Sequence, residues 1–357
     1  MTKNFNVILL IDRYIGAYDS FIVFYNVLEV ALRRNRINVY FARSVKEVDD
    51  IISINKINFT INIGQYHFFK NNVPLYDFYK IVNYQWIIDN PLRYEHCDNL
   101  SPYNRLIYID KTFELLPGYK RSDYLSLPLP FMSIDGPSID LDRSNIIFAP
   151  LKIKSEKFFL DLIEQSKDKK NIVEFLGEYD FDMEFNVFFK KFVESRNIYD
   201  INIFFELVNG FIRIKKRLHV IKSIKHHKVI IASDSKENYN FAANISFVKP
   251  MGYFDILKKQ KEYKFILNCN PNFDMCLHDR VSYSVLNGAI VLSDKNRLLN
   301  NMSFPCAYKY SEMEFLDDKI EKCIKKEDEI KEEQQKCIEK YNCDYIISTI
   351  LQNYSTF

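Results

Sequence analysis

The residue types that could do chemistry are concentrated in one segment of the C-terminal half. A short apolar run at 265–267 leads into an asparagine-rich loop at 268–274, and His278, Asp279 and Arg280 then begin a helical pattern. A helix N-terminus favours an anion, and an arginine there can hold a diphosphate through two parallel hydrogen bonds. Spacing alone leaves a second interpretation open, in which Asp279 only caps the helix and Arg280 is a surface cation.

The elements that position this segment alternate between strands and helices. Apolar runs predict N-terminal strands at 7–11, 38–42, 59–63, 84–88 and 106–109, with helices at 21–32 and 45–52. A second series predicts strands at 145–149, 172–176, 229–232, 245–248, 265–268 and 289–293. Strands that alternate with helices pair in parallel through right-handed crossovers, so the fold class is α/β with two doubly wound, Rossmann-like domains.

A cluster of Pro128, Pro130, Gly136 and Pro137 marks the weak boundary between these two series. It predicts an N-terminal domain at 1–135, a C-terminal domain at 143–340 and a last helix within 341–357 that can cross back to dock on the first. A length of 357 residues suits two domains of this size.

Composition narrows the class of function. Lys and Arg number 49 against 47 Asp and Glu, and this balance argues against a duplex nucleic-acid binder. The chain has neither a Walker loop nor the G-x-G-x-x-G and G-x-S-x-G motifs, and its eight glycines leave few phosphate cradles. The adjacent His226 and His227 diverge in direction, so no metal site is expected there.

Seven cysteines without a C-x-x-C pair, and no secretory segment at the start, predict a reduced, cytoplasmic protein. No apolar run reaches the length of a membrane span, which leaves only peripheral membrane contact open. The frequent use of Asn, Ile, Lys and Tyr is typical of an AT-rich bacterial genome.

Four short motifs around the candidate segment resemble the donor-binding half of bacterial glycosyltransferases of the spore-maturation type, which are GT-B enzymes akin to group 1 transferases. They are Leu-Asn-x-x-Pro-Asn-Phe at 267–273, His-Asp-Arg-Val at 278–281, Leu-Asn-Gly-Ala at 286–289 and Ser-Asp at 293–294. In the N-terminal half, residues 86–92 and 106–111 are similar to the Asp-Asn-Pro and Asp-Arg elements of the same group.

The resemblance implies two domains that face one another across a cleft, with the nucleotide-sugar donor on the C-terminal one. It places His278 and Arg280 near the donor diphosphate, with Asp279 orienting the loop and Gly288 allowing close backbone approach. The residues from 250 onward would form a loop over the base, although a tight turn is the alternative there. The implied donor-binding residues are Asn270, His278, Asp279, Arg280, Asn287, Gly288, Gly252 and Tyr253. The chain departs from the pattern at Tyr283, where many group 1 enzymes carry a glutamate for the ribose.

Two carboxylates are candidates for the catalytic base that takes the acceptor proton. Asp19 follows the turn after the first strand, and Asp89 ends a predicted strand before Asn90. A base must lie within reach of the acceptor hydroxyl. The structural alternatives are a helix cap at Asp19 and an Asx turn at Asp89.

The resulting hypothesis is a metal-independent glycosyltransferase without a cofactor. It would move a sugar from a UDP- or GDP-linked donor to a hydroxyl of a glycan, protein or other cell-surface acceptor. Two alternatives stay open: a catalytically silent nucleotide or carbohydrate binder on the same scaffold, and a nucleotide-sugar epimerase.

Overall fold

The computed structural model describes residues 5–11, 20–64, 68–93, 101–116, 124–129, 131, 144–151, 153, 155–233, 241–270 and 272–356. The chain divides into two units, one of Met1–Met132 with Tyr341–Phe357 and the other of Ser133–Lys340. Each unit contains its own six-stranded parallel sheet. The candidate Asp19 lies outside the described residues.

The sheet of the first unit has the strand order β2-β1-β3-β6-β7-β8. The strand Asn6–Leu10 is apolar and buried on both faces, because helices cover a doubly wound sheet on each side. The three strands beside it also carry buried polar side chains, which hydrogen-bond to one another across the sheet: Thr60, Asn62, Asn83, Gln85 and Asn104. A small antiparallel hairpin, β4 with β5, lies outside this sheet. The elements are β1 (Asn6–Leu10), α1 (Ser20–Arg34), β2 (Asn38–Ala42), α2 (Val45–Ile54), β3 (Phe59–Ile63), β4 (Phe69–Lys70), β5 (Val73–Pro74), α3 (Leu75–Tyr79), β6 (Val82–Ile87), β7 (Asn104–Tyr108) and β8 (Leu125–Ser126), with 3₁₀ turns at Pro91–Arg93 and Lys111–Leu115.

The sheet of the second unit has the order β11-β10-β9-β12-β13-β14, again with every pairing parallel. The carboxyl ends of its strands therefore meet at one edge, where a doubly wound sheet binds ligands. The elements are β9 (Ser144–Ala149), α4 (Glu156–Gln165), α5 (Lys169–Glu178), α6 (Phe185–Glu194), α7 (Ile201–Ser223), β10 (Val229–Ala232), β11 (Ile245–Val248), α8 (Tyr253–Gln260), β12 (Tyr263–Asn268), α9 (Asp279–Leu286), β13 (Ile290–Asp294), α10 (Arg297–Asn301), β14 (Ala307–Tyr308), α11 (Leu316–Lys325) and α12 (Glu327–Glu339), with a 3₁₀ segment at Tyr310–Phe315.

The strand predicted at 172–176 is wrong, because these residues form the middle of α5. Ile172, Phe175 and Tyr179 are buried while Val173 is exposed, which is the spacing of a helical face. A short apolar run of this kind fits a strand or a helix equally well, and here packing against α7 decides for the helix.

The C-terminal helix α13 (Cys343–Ser355) belongs to the first unit and packs on α1. The Tyr84 hydroxyl donates to Asn353 Oδ1 at 2.9 Å, and the Cys343 thiol donates to the Phe131 carbonyl at 2.8 Å. Burial raises the pKa of the Cys343 thiol to about 12. The last residues of the chain therefore complete the core of the N-terminal unit.

Cys306 and Cys323 form a disulfide, so the expectation of reduced cysteines is wrong for this pair. They are 17 residues apart in the sequence and become neighbours only when α11 folds back against the segment before β14. Cys269, Cys276, Cys337 and Cys343 remain thiols. Within the described part of the chain, none of the helices combines the length and apolar character needed to cross a bilayer.

Candidate functional site

The candidate segment lies where the sequence analysis placed it, at the carboxyl edge of the second sheet. Strand β12 ends at Asn268, a ten-residue loop follows, and helix α9 begins at Asp279 with His278 as its N-cap. The helix ends at Leu286 with Asn287 as its C-cap, and Gly288 has φ of 73°. Glycine adopts this left-handed conformation without strain, and the helix therefore stops there before β13.

Tyr253, Asp279 and His278 form a hydrogen-bonded group at the start of α9. The Tyr253 hydroxyl, on the first residue of α8, donates to Asp279 Oδ2. The other carboxylate oxygen lies 2.7 Å from His278 Nδ1. Two segments 26 residues apart, each a candidate on sequence grounds, thus meet at one carboxylate.

The hydrogen bonds and charges of this group keep the Asp279 carboxylate deprotonated. Burial alone would raise its pKa, but the charge and hydrogen bond of His278, the charge of Arg280 and the Tyr253 hydroxyl outweigh burial and hold the pKa well below its usual range. The 2.7 Å contact then requires a proton on His278 Nδ1. Because Nδ1 carries that proton, it cannot at the same time accept a hydrogen bond from the Arg280 amide, which lies 3.1 Å away.

Arg280 has a neutral acceptor instead of an ion-pair partner. Its Nη1 donates to Asn268 Oδ1 at 3.3 Å, and no carboxylate within the described ranges lies at ion-pair distance. Other arginines of the chain, such as Arg196 and Arg297, pair with glutamates. A cation in the first turn of a helix also opposes the helix dipole, so local stability gives no reason for a positive charge here.

Asn268, Asn270 and Asp294 join the ends of β12 and β13. Asn268 Nδ2 donates to Asn270 Oδ1 at 3.1 Å and to Ser293 Oγ at 2.9 Å, which leaves its Oδ1 for Arg280. The Asn270 amide donates to Asp294 Oδ1 at 2.7 Å, and its side chain donates to the Asp294 carbonyl at 3.1 Å. The hydrogen bonds of Asn270 are thus directed inward, and they hold the edge on which Arg280 rests.

Two buried cations on α7, Lys216 and Arg217, were not among the predicted site residues. Phe204, Val208, Ile212 and Val220 form an apolar stripe at four-residue spacing, and Lys216 occupies one position of it. A lysine inside such a stripe is a signal that sequence inspection could have used.

The electrostatic surroundings of the two cations differ. Burial would lower the pKa of Lys216, but Tyr179 and Asp294 raise it, so the ammonium stays charged. Burial lowers the pKa of Arg217, and the charge of Arg280 lowers it further. The positive charges of Arg217 and Arg280 therefore repel each other near the candidate site, which favours an anion there.

The remaining donor-side candidates have structural contacts. Asn287 Nδ2 donates to the Tyr283 carbonyl at 2.7 Å and closes α9. Gly252 caps α8 in a conformation open to other residues, with space around it. Tyr283, which stands where the resemblance has a glutamate, is fully buried.

In the first unit, Asp89 follows strand β6 and is half-exposed. Its Oδ2 accepts from Arg93 Nη1 at 2.9 Å. The neighbouring Asn90 accepts the Leu92 amide at 3.0 Å through its side chain, which is an Asx turn. The turn expected here is thus made by Asn90, while the Asp89 carboxylate is held by Arg93.

No group of three metal-ligating side chains occurs within the described residues. Asp180 and Asp182 have the Asp-x-Asp spacing, yet Asp182 accepts the amides of Tyr310 and Ser311 at 2.7 and 2.9 Å, and Asp180 accepts the Asp182 amide at 2.8 Å. These carboxylates cap backbone instead of converging on one point.

Two doubly wound parallel units of this kind define the GT-B class of glycosyltransferase fold, and solved structures of that class match the chain along its length. An alpha-glucosyltransferase in complex with UDP-glucose and DNA containing an abasic site has a TM-score of 0.57 and 9% identity, covering 99% of this chain and 100% of that one. Sucrose-phosphate synthase from Thermosynechococcus elongatus has a TM-score of 0.53 and 8% identity, covering 99% of each chain. At these identities the likeness establishes the fold.

No family model matches the sequence. No curated protein matches it either. The motifs at 267–294 therefore stand as a resemblance to the spore-maturation type, within a chain whose fold is that of GT-B glycosyltransferases.

Proposed function

We propose that the protein is a glycosyltransferase that moves a sugar from a nucleotide-sugar donor, UDP- or GDP-linked, to a hydroxyl of a glycan, protein or other cell-surface acceptor. The observation that carries this proposal is Arg280. It lies in the first turn of α9 at the carboxyl edge of the sheet, with one neutral acceptor, Asn268 Oδ1 at 3.3 Å. A guanidinium in that position is suited to a ligand with paired anionic oxygens.

The chemistry assigned to this site is departure of a nucleoside diphosphate. The bond between the anomeric carbon and the β-phosphate oxygen breaks, and the oxygen keeps the electron pair. Arg280 and the amides at the start of α9 would stabilise the charge that develops on this oxygen. The acceptor oxygen bonds to the anomeric carbon and loses its proton to a base, for which Asp89 and Asp19 are the candidates.

His278 would act through its second nitrogen. Its Nδ1 is held by Asp279, and a proton on Nε2 would add a donor toward the same phosphate group. Tyr253 and Asp279 orient this imidazole and do not touch the ligand in the proposal. The donor residues Asn270, Asn287, Gly252 and Gly288 support the loop and the helix ends.

Incubation with a panel of nucleotide sugars, followed by separation of the products, tests the proposal. A transferase releases nucleoside diphosphate slowly without an acceptor, an epimerase interconverts the sugars with the nucleotide attached, and a silent binder does neither. Release should depend on Arg280 and should persist in Arg196→Ala, which removes an exposed arginine of the same unit.

We further propose that transfer needs no metal ion, since the cations at α9 take the neutralising role. Release should then survive EDTA. Loss of release with EDTA and its return with Mn²⁺ would contradict this part of the proposal.

A further inference from the structure

A polar cavity of about 120 Å³ lies in the second unit, separate from the diphosphate residues at the start of α9. Its walls come from the loops after β12 and β13 and from the segment before α6. One water needs roughly 10–15 Å³ of such space, so the cavity can hold a larger group. Its polar lining includes Lys216, Asn272, Asp274, Asp294 and Asp182.

The side-chain oxygen of Asn272 is a buried acceptor that receives no hydrogen bond from the described residues. The residue is 4% exposed and has φ of 60°. Its Nδ2 donates to Asn209 Oδ1 at 2.8 Å and lies 3.5 Å from the Asn209 carbonyl, and this second contact assigns the nitrogen to that side. Its Oδ1 is buried and accepts no hydrogen bond from any described residue.

The Lys216 ammonium has more N–H donors than the described residues accept. It is 5% exposed, and its ammonium donates to the Tyr179 hydroxyl at 3.1 Å. The rings of Tyr179 and Tyr310 lie 5.5 and 5.3 Å from Nζ. An ammonium has three N–H donors, and the described residues accept from one of them.

The carboxylates of the cavity are already used by the protein. Asp274 accepts the amides of Phe185 and Asn186, each at 2.7 Å. Asp294 accepts from the Asn270 amide and from the Tyr310 hydroxyl, and Asp182 caps the 3₁₀ segment at Tyr310–Phe315. Among the buried groups of the lining, one amide oxygen and a charged ammonium are therefore left for a ligand, while Lys295, Arg297, Asn300 and Lys309 line the cavity as exposed residues.

This pair sets the chemistry of the occupant. A group that satisfies both must donate to Asn272 Oδ1 and accept from Lys216. A hydroxyl does both, whereas a phosphate monoester dianion has no proton for the amide and a cation would be repelled by the ammonium.

We propose that this cavity is a sugar subsite, in which Lys216 donates to one or two hydroxyl oxygens of a sugar ring and Asn272 accepts a hydroxyl proton. The sugar can be the transferable group of the donor or a residue of the acceptor. Sugar binding in this cavity does not depend on the proposed function, whereas the assignment of that sugar to the donor or to the acceptor rests on it.

Calorimetric titration with UDP, UDP-glucose, UDP-N-acetylglucosamine and the corresponding methyl glycosides tests the subsite. Two variants remove its polar groups: Lys216→Met, and Asn272→Gly, which tolerates the positive φ. Lys215→Met is the matched control, since this neighbouring lysine of α7 pairs with Glu156 outside the cavity. A thermal melt of each variant verifies folding. If Lys216→Met does not fold, the sugar affinity of Asn272→Gly tests the subsite by itself.

Sugar affinity should fall about tenfold or more in Lys216→Met and Asn272→Gly, the loss typical of a deleted hydrogen bond to a charged or buried group, and should be unchanged in Lys215→Met. UDP affinity should stay as in the wild type. A loss confined to the UDP-sugars assigns the subsite to the donor, and a loss for the methyl glycosides assigns it to the acceptor.

Three results would overturn the proposal: wild-type sugar affinity in both folded cavity variants, an equal loss for UDP and UDP-sugar, or a wild type that binds no sugar of the panel. The failure of the proposed function looks different. In that case the wild type binds no nucleotide, while methyl glycosides still bind in a manner that depends on Lys216 and Asn272.

Discussion

Replacement of Arg280 by alanine should separate ligand binding from stability. Removal of a guanidinium that pairs with a diphosphate costs about 2–5 kcal/mol of binding free energy. At 1.4 kcal/mol per factor of ten, UDP affinity should fall by roughly 30-fold or more. Arg280→Lys should recover only part, because a point charge cannot reproduce the two parallel hydrogen bonds.

The stability of the ligand-free protein should change little, because two small terms oppose each other. The variant loses the 3.3 Å hydrogen bond to Asn268 Oδ1, worth about 1 kcal/mol. It also removes a cation from the first turn of α9, which returns about 0.3–1 kcal/mol. The melting temperature should therefore stay within about 2–4 °C of the wild type.

Calorimetric titration with UDP, beside a thermal melt of each protein, measures both quantities. Arg196→Ala is the control: it deletes an arginine paired with Glu174 in the same unit and should leave UDP affinity unchanged. Wild-type affinity in a folded Arg280→Ala protein would refute the assignment of Arg280 to the site. A joint loss of affinity and stability would instead make Arg280 a structural residue. Asp274, in the loop after β12, and Asp294, at the end of β13, accept backbone amides.

Three further predictions concern stability. Tyr253→Phe removes a hydrogen bond to the charged Asp279 and should cost about 2 kcal/mol in urea denaturation at pH 7. Because burial raises the pKa of Tyr253 in the folded protein, the free energy of unfolding of the wild type falls as the pH rises above about 10. The difference in unfolding free energy between the wild type and Tyr253→Phe should therefore be smaller at pH 11 than at pH 7, and an unchanged difference would contradict this. In Gly210→Ala the new methyl group contacts the Phe159 ring, and this overpacking should destabilise the protein by about 1–3 kcal/mol. That cost should exceed the stabilisation of about 1 kcal/mol that alanine gives over glycine within a helix. A second substitution, Phe159→Leu, should restore the melting temperature. Cys306→Ser opens a disulfide that spans 17 residues and should lower stability by about 3 kcal/mol, a difference that dithiothreitol should abolish; equal melts of the oxidised proteins would count against it.

Local patterns were sufficient for most of the scaffold. Apolar runs such as Val7–Leu10 mark strands buried on both faces, and their alternation with helices predicts parallel doubly wound sheets, as observed. The bounds of α9 follow from its ends, since His278 occupies the N-cap position before it and Gly288 adopts the left-handed conformation that stops it. These signals are local in the chain and need no knowledge of distant contacts.

The strand predicted at 172–176 and the reduced state expected of Cys306 failed for a common reason. Five apolar-rich residues do not distinguish a strand from a helix until a neighbour such as α7 covers one face. Two cysteines separated by 17 residues carry no pairing signal until the chain brings them together. Both outcomes depend on contacts between segments that are remote in sequence.

The candidate site shows the same division. The sequence determined that His278, Asp279 and Arg280 open a helix at the carboxyl end of a strand, because both features are encoded within a few residues. Only the tertiary structure decided that the Tyr253 hydroxyl donates to Asp279 and that Arg280 donates to Asn268. It also decided that Lys216, from its position in the apolar stripe of α7, lines a cavity together with Asn272. A buried charge is tolerated only where the fold supplies partners, and those partners come from helices and loops that the sequence leaves far apart.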